Sequence, residues 1–392
     1  MNMKKIIALV LVLCLALALC ACGGGKAKEE SNVIKIGVYE PQSGDNGAGG
    51  KQEILGMQYA NYKTPTVEVG GKTYNVELVI ADNESSNDKA VSAATKLISS
   101  GCSVVLGSYG SGVSIAASDT FAEAGLAAIG VTCTNPQVTQ GNDHYFRICF
   151  LDPFQGTVLA NFAHDTLGAK TAYCLGQLGN DYDQGLVNYF KQAAEALGMK
   201  VVTAEFPENN SDFTSYLTSA KNEGADVIFA PCSISYAQLI VEQADAQGIQ
   251  MPLLAGDTWD SNAILAAAEG KNVQIYVSTF YAEGGDPDFE KGIKEWLNSN
   301  SEAMTNNGGN DMIAAVSVMG YDAYYTALEA IKKAGSADKA DILATLPSVT
   351  LSGVSGAIAF DDTGDAIRDS AYIKQANTSD VVWDFVTVAK VG

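Results

Sequence analysis

The sequence predicts an α/β protein with two lobes, each built around a parallel sheet. Three observations carry this prediction. Once an N-terminal leader is set aside, about 370 of the 392 residues remain, more than one hydrophobic core usually supports, so two domains are expected. From Val33 onward, short β-rich apolar runs alternate with helical stretches, the pattern of βαβ units whose parallel sheets are covered on both faces. The alternation then restarts after Asp152-Pro153 as a second series of the same kind.

The leader comes first. Lys4 and Lys5 precede an apolar run from Ile6 to Leu19, followed by Ala21 and Cys22, which reads as a secretory signal with a positive n-region, a short h-region and a small-residue cleavage zone. The run is 14 residues, whereas a spanning helix needs about 20. Leu19-Cys20-Ala21-Cys22 resembles the lipobox of bacterial lipoproteins, which implies cleavage before Cys22 and a lipid on its thiol. An ordinary secretory signal that ends in a chance cysteine is the alternative. The tract Gly23-Gly24-Gly25-Lys26-Ala27-Lys28-Glu29-Glu30 reads as a flexible tether. Ten residues of it reach at most about 35 Å, and two or more acyl chains anchor stably where one does not.

In the first series, strands are expected at Val33–Tyr39, Val76–Ala81, Val104–Gly107 and Leu126–Val131, and helices near Lys51–Tyr62, Asn87–Ser100 and Val113–Ala124. In the second, strands are expected at Thr171–Leu175, Val201–Phe206, Val227–Ala230 and Pro252–Ala255, with helices near Pro153–Thr166, Gln184–Leu197, Phe213–Asn222 and Tyr236–Gln247. Beyond these lie a strand at Gln274–Val277, helices near Asp288–Asn298 and Met312–Ala334, and late strands at Gly356–Phe360 and Val381–Val388 that can rejoin either sheet.

The formal charge is −21, and it becomes −23 once Lys4 and Lys5 leave with the signal. So acidic a body repels phosphate backbones and anionic lipid, which argues against nucleic acid as a partner. Cys102, Cys133, Cys149, Cys174 and Cys232 remain after the leader and form no Cys-x-x-Cys pair, so they are read as small buried hydrophobes. His144 and His164 are not in metal-ligand spacing and no Gly-x-Ser-x-Gly elbow has a histidine to serve it, so no metal, cofactor or catalytic set is expected.

Open parallel sheets bind ligands beyond the carboxyl ends of strands, where helix N-termini carry unpaired N–H groups. Gly107-Ser108-Tyr109-Gly110-Ser111-Gly112 follows one strand and opens a helix. Its glycines admit close approach, and Ser111 either holds an anion with the backbone N–H groups or caps its own helix. Val131-Thr132-Cys133-Thr134-Asn135-Pro136 offers hydroxyls and carbonyls to a cation, or is an Asn-Pro turn. In the second series, the loops with Asp181, Tyr182 and Asp183, and with Asp257, Trp259 and Asp260, could face a cleft or be solvated turns. The first loop, Pro41 to Gly50, lacks the G-x-G-x-x-G spacing and is rejected as a nucleotide site.

In order along the chain, Val104-Val105-Leu106-Gly107 with Ser111, Ile129 through Thr134-Asn135-Pro136, Tyr182-Asp183-Gln184-Gly185, Gly256-Asp257, Gly320-Tyr321-Asp322-Ala323 and Gly353 through Gly364 together resemble the branched-chain amino-acid-binding proteins. That resemblance implies the type I periplasmic-binding-protein fold, in which two Rossmann-like lobes with parallel sheets are joined by hinge strands and close on a ligand. It also implies a monomeric, extracytoplasmic, lipid-anchored solute-binding protein that hands a small amino acid to ABC transporter permease subunits. A ligand-sensing subunit, or a binder of an amide, urea or an aromatic acid, is the alternative. The implied lobes are 33–150 plus about 281–355 and 151–280 plus about 356–392, after a signal at 1–22 and a tether at 23–32.

By the same resemblance, Ser111, the N–H of Gly112 and Thr134 hold an α-carboxylate. The Thr132 carbonyl, the Thr134 hydroxyl and Asp257 hold an α-ammonium, and Tyr182 lies over the ligand. Three positions depart from the pattern. Gly49 stands where the family often has an aromatic, Cys232 where it has a tyrosine, and Asp257 where it has a glutamate. Tyr109, Trp259 and Tyr281 are the residues available to fill that space.

Overall fold

A computed structural model of the protein describes residues 32–390. Cys22 and nearly all of the tether lie outside that range. The chain opens with β1 (Val33–Glu40), α1 (Gly47–Lys63), β2 (Thr66–Val69), β3 (Lys72–Asp82), α2 (Asn87–Ser99), β4 (Val104–Leu106), α3 (Ser111–Glu123), β5 (Ala128–Gly130) and β6 (Tyr145–Arg147). These strands form one sheet in the order β2-β3-β1-β4-β5-β6, with β1, β4, β5 and β6 parallel.

The second series runs α4 (Asp152–Asn161), β7 (Thr171–Gln177), α5 (Asp181–Ala196), β8 (Lys200–Phe206), α6 (Thr214–Asn222), β9 (Val227–Phe229), α7 (Ile234–Ala246), β10 (Leu253–Ala255), α8 (Asn262–Ala268) and β11 (Ile275–Thr279). Then come α9 (Pro287–Ser299), α10 (Ser301–Asn306), α11 (Ala315–Ala334), α12 (Lys339–Thr345), β12 (Thr350–Gly353), β13 (Gly356–Ala359), β14 (Ser370–Asn377) and β15 (Val382–Lys390). The second sheet has the order β15-β14-β11-β10-β9-β7-β8; β14 and β15 close one side antiparallel.

The central strands are buried on both faces. All three residues of β4, β5, β9 and β10 are buried, which is why they read as unbroken apolar runs rather than alternating ones. The helices cover them with one face each. In α5 the buried residues Tyr182, Leu186, Val187, Phe190 and Ala194 recur at helical spacing, and Phe190 stacks on Phe229 of β9 with ring centroids 4.2 Å apart.

After β11 the chain leaves the second sheet, and α9 and α11 pack back on α1. Tyr59 of α1 meets Phe289 of α9 at 6.0 Å and stacks on Tyr321 of α11 at 5.7 Å. The α1–α11 crossing is closed by glycine: a Cβ on Gly56 would stand 1.8 Å from the Ser317 carbonyl oxygen, and one on Gly320 would stand 2.2 Å from that of Glu53.

Some elements differ from expectation. The first of these is a β2–β3 hairpin where only Val76–Ala81 reads as a strand; Gly70 and Gly71 turn it, both with positive φ, the signature of a tight hairpin turn. Strands β6 and β14 also escape the sequence reading. The Gly356–Phe360 run rejoins neither main sheet, since β13 pairs with β12 in a separate two-stranded ribbon. Among the described residues no helix is long and apolar enough to cross a membrane.

Candidate functional site

In the first lobe, the loop after β4 delivers Tyr109, Ser111 and Gly112 to the start of α3. The Ser111 hydroxyl makes no cap on its own helix and accepts from the Asn135 N–H at 3.2 Å. The two loops are thereby tied together. The first turn of α3 carries no acidic side chain of its own, and the Asp181 carboxylate of the facing lobe lies beside it, 3.2 Å from where a Gly112 Cβ would stand. In the loop after β5, Thr132 donates to Glu53 Oε2 at 2.5 Å. Thr134 is wholly buried, and its hydroxyl meets no partner in full hydrogen-bond geometry among the described residues. Asn135 shows the turn chemistry, its side chain accepting from Gln137 N–H at 2.9 Å.

In the second lobe, Asp257 follows β10 and is 2 % exposed. Its Oδ1 accepts from Gln155 Nε2 at 2.8 Å and from the Tyr182 hydroxyl at 3.0 Å. Gln155 is itself held by donating to Ser278 Oγ at 2.9 Å. Burial pushes the Asp257 carboxyl up to about 6 against these hydrogen bonds. Asp152, at the start of α4, is pushed up to about 8, by burial first and also by the charge of Asp257, with the Thr134 hydroxyl opposing. Asp183 is buried and accepts from Gln177 N–H at 2.8 Å, so it braces its own loop, while Asn180 caps α5.

A cleft of about 390 Å³ runs between these loops, lined among others by Tyr109, Ser111 and Gly112 from one lobe and Asp181, Tyr182 and Thr258 from the other. Thr132, Thr134 and Asp257 do not line it and are buried. Tyr182 joins the two levels, since it lines the cleft and its hydroxyl reaches Asp257. The lobes are bridged here. Tyr109 donates to the Thr258 carbonyl at 2.9 Å, Asn135 Nδ2 to the Asp181 carbonyl at 2.8 Å, and Ser235 Oγ to Asp45 Oδ1 at 2.7 Å.

The space beside Gly49 is filled by Tyr109. A Cβ on Gly49 would stand 2.4 Å from the Tyr109 ring, so the missing side chain is what admits the tyrosine. Trp259 is wholly buried and donates Nε1–H to the Cys232 carbonyl at 3.0 Å. The Cys232 thiol is buried in the same apolar cluster as Tyr109 and Trp259. Tyr281 is engaged elsewhere, donating to Glu290 at 2.5 Å.

The sequence reading passed over Glu40, Glu53, Asp152 and Gln155. Acids within helix α1 or beside a proline look like solvated residues, and nothing local signals that water is excluded from them. These carboxylates with Asp257 have no basic partner among the described residues, whose buried cations are paired as Arg147 with Asp365 and Lys374 with Asp260. The geometry therefore offers a helix N-terminus with Ser111 at the cleft and a buried acid, Asp257, behind Tyr182.

Relatives share this architecture along most of the chain. The Leu/Ile/Val-binding protein homolog 1 of Brucella abortus is 29% identical over 336 residues, covering 85% of this chain and 87% of that one. A leucine-binding protein from Thermotoga maritima superposes with a TM-score of 0.80 at 30% identity, covering 91% of this chain and 99% of that one. The branched-chain amino acid transporter substrate-binding protein of Streptococcus pneumoniae, solved with isoleucine, gives a TM-score of 0.78 at 25% identity, covering 90% and 99%. The family model for periplasmic binding protein matches residues 33–380, a span that takes in the first sheet, all of the second but its edge strand β15, and both halves of the cleft, and the chain accordingly belongs to that family.

Proposed function

We propose that this chain captures a small amino acid between its lobes and delivers it to an ABC importer. The observation that carries the reading is a helix N-terminus opening on the cleft and, buried behind Tyr182 of the facing lobe, the Asp257 carboxylate. The N-terminus of α3 with Ser111, Gly112 and Thr134 suits an α-carboxylate, and Asp257, oriented by Tyr182 and Gln155, suits an α-ammonium. Relatives named for leucine, isoleucine and valine binding support it. An aromatic acid or urea would leave Asp257 buried without a cation, so the zwitterion is preferred.

In this reading the lobes are 33–150 plus about 281–355 and 151–280 plus about 356–392, and the ligand is enclosed by their approach. Tyr109, packed on Gly49, limits the ligand side chain to a short one, and Cys232 lies beneath it. The protein acts as a monomer outside the cytoplasm, held by lipid on Cys22. A thermal-shift screen of the twenty amino acids and small amides tests the reading: a ligand at 100 times its Kd stabilises the fold by about 2.7 kcal/mol. No shift with any amino acid, or recovery of a chemically altered ligand, overturns it.

A further inference from the structure

Glu40 ends β1 and Glu53 lies on α1, and both side chains are wholly buried. Each reaches one of the two first-lobe ligand loops. Glu40 Oε2 accepts from the Tyr109 N–H at 2.7 Å, and Glu53 Oε2 accepts from the Thr132 hydroxyl at 2.5 Å. The two carboxyl groups are neighbours that act directly on each other. Their remaining oxygens, Oε1 of each, receive no hydrogen from any other described group.

Two neighbouring buried carboxylates, each with one oxygen that meets no other partner, repel unless a proton lies between them. No cation is at hand to take its place. The titratable groups facing the pair are Tyr39 on β1, Tyr109 on the loop after β4, Cys133 on the loop after β5, Tyr145 on β6 and Asp257 from the second lobe. All are neutral or acidic, and the buried Arg147 and Lys374 are committed to Asp365 and Asp260.

We propose that Glu40 and Glu53 hold one proton in common and serve as positioning residues, a monoanionic acid pair that ties the Gly107–Gly112 loop to the Val131–Pro136 loop. Loss of the proton places two like charges under the loops and weakens ligand capture. This rests on the reading of those loops as the ligand site. Burial, and then the neighbouring Glu53 charge, holds the Glu40 carboxyl well above the ordinary range. The folded chain thus keeps a proton that the unfolded chain releases. Stability is full below the ordinary carboxyl value of 4.5 and is lost as pH rises toward the folded value, at tenfold in the folding equilibrium per pH unit for one proton.

Glu40→Gln keeps every hydrogen bond, donating its amide to Glu53 and accepting from Tyr109, but cannot release the proton. Urea unfolding from pH 5 to 9 should show the wild type losing stability more steeply than Glu40→Gln, by up to tenfold per pH unit. Calorimetry with L-leucine at pH 6.5 and 9 should show the wild type losing at least about tenfold more affinity than Glu40→Gln. Titration of the ligand amine is common to both and cancels. Glu53→Gln should behave alike and serves if Glu40→Gln does not fold, while Glu40→Ala should be weak at both pH values. Superimposable pH profiles of wild type and the glutamine variants would overturn the proposal. Wild type that ignores L-leucine but diverges from Glu40→Gln in unfolding supports the shared proton and excludes only leucine as the ligand.

Discussion

Replacing Asp257 by asparagine should raise stability and abolish capture, two effects of opposite sign from one lost charge. The Asp257 carboxyl is raised from 3.8 to about 6 by burial, which puts the cost of holding its ionised form in the folded protein at about 3 kcal/mol. Because the folded value is raised, this contribution to stability is present below 3.8 and is lost as pH rises through about 6. At pH 8 the wild type carries the full cost and Asp257→Asn does not, since the amide oxygen can still accept from Gln155 and Tyr182. Binding moves the other way. Removing one partner of a buried charge pair costs about 2 to 5 kcal/mol, or about 30-fold to several thousandfold in Kd. Urea unfolding at pH 4 and pH 8, and calorimetry with the amino acid found by screening, measure the two effects. Wild-type affinity in Asp257→Asn, or a variant less stable than wild type at pH 8, would refute the reasoning.

Tyr109→Phe removes the interlobe hydrogen bond to the Thr258 carbonyl, worth about 1 kcal/mol, so ligand should leave about fivefold faster in stopped-flow experiments with unchanged stoichiometry. Gly56→Ala forces a Cβ to within 1.8 Å of the Ser317 carbonyl oxygen; the helices must separate, and urea unfolding should show a loss of at least about 2 kcal/mol. Cys22→Ala should move the expressed protein from the washed membrane fraction to the soluble one, and retention in the membrane would place the anchor elsewhere.

The order of strands and helices was legible in the sequence because the forces that write it are local. Val104-Val105-Leu106 followed by glycines and Ser111 already spells strand, loop and helix start, and the stretch Gln184–Leu197 reads as a helix, which the structure begins at Asp181. Asp257 was legible as a turn acid and as a match to a family pattern. Its hydrogen bond from Gln155, 102 residues away, was not. That the Ser111 hydroxyl accepts from the Asn135 N–H rather than capping its own helix follows from the packing of β4 beside β5, which the sequence does not spell out.

Glu53 shows the limit most clearly. Alone on α1 it looks like any solvated helical acid, and it is dry because α11, arriving from more than 250 residues later, crosses α1 at Gly56 and Gly320. Backbone hydrogen bonding and side-chain periodicity act over a few residues, so elements can be read from neighbours along the chain. The loss of water around a carboxylate, and with it the charge state and strength of the binding site, depends on which distant elements close over it, and that only the tertiary structure decided.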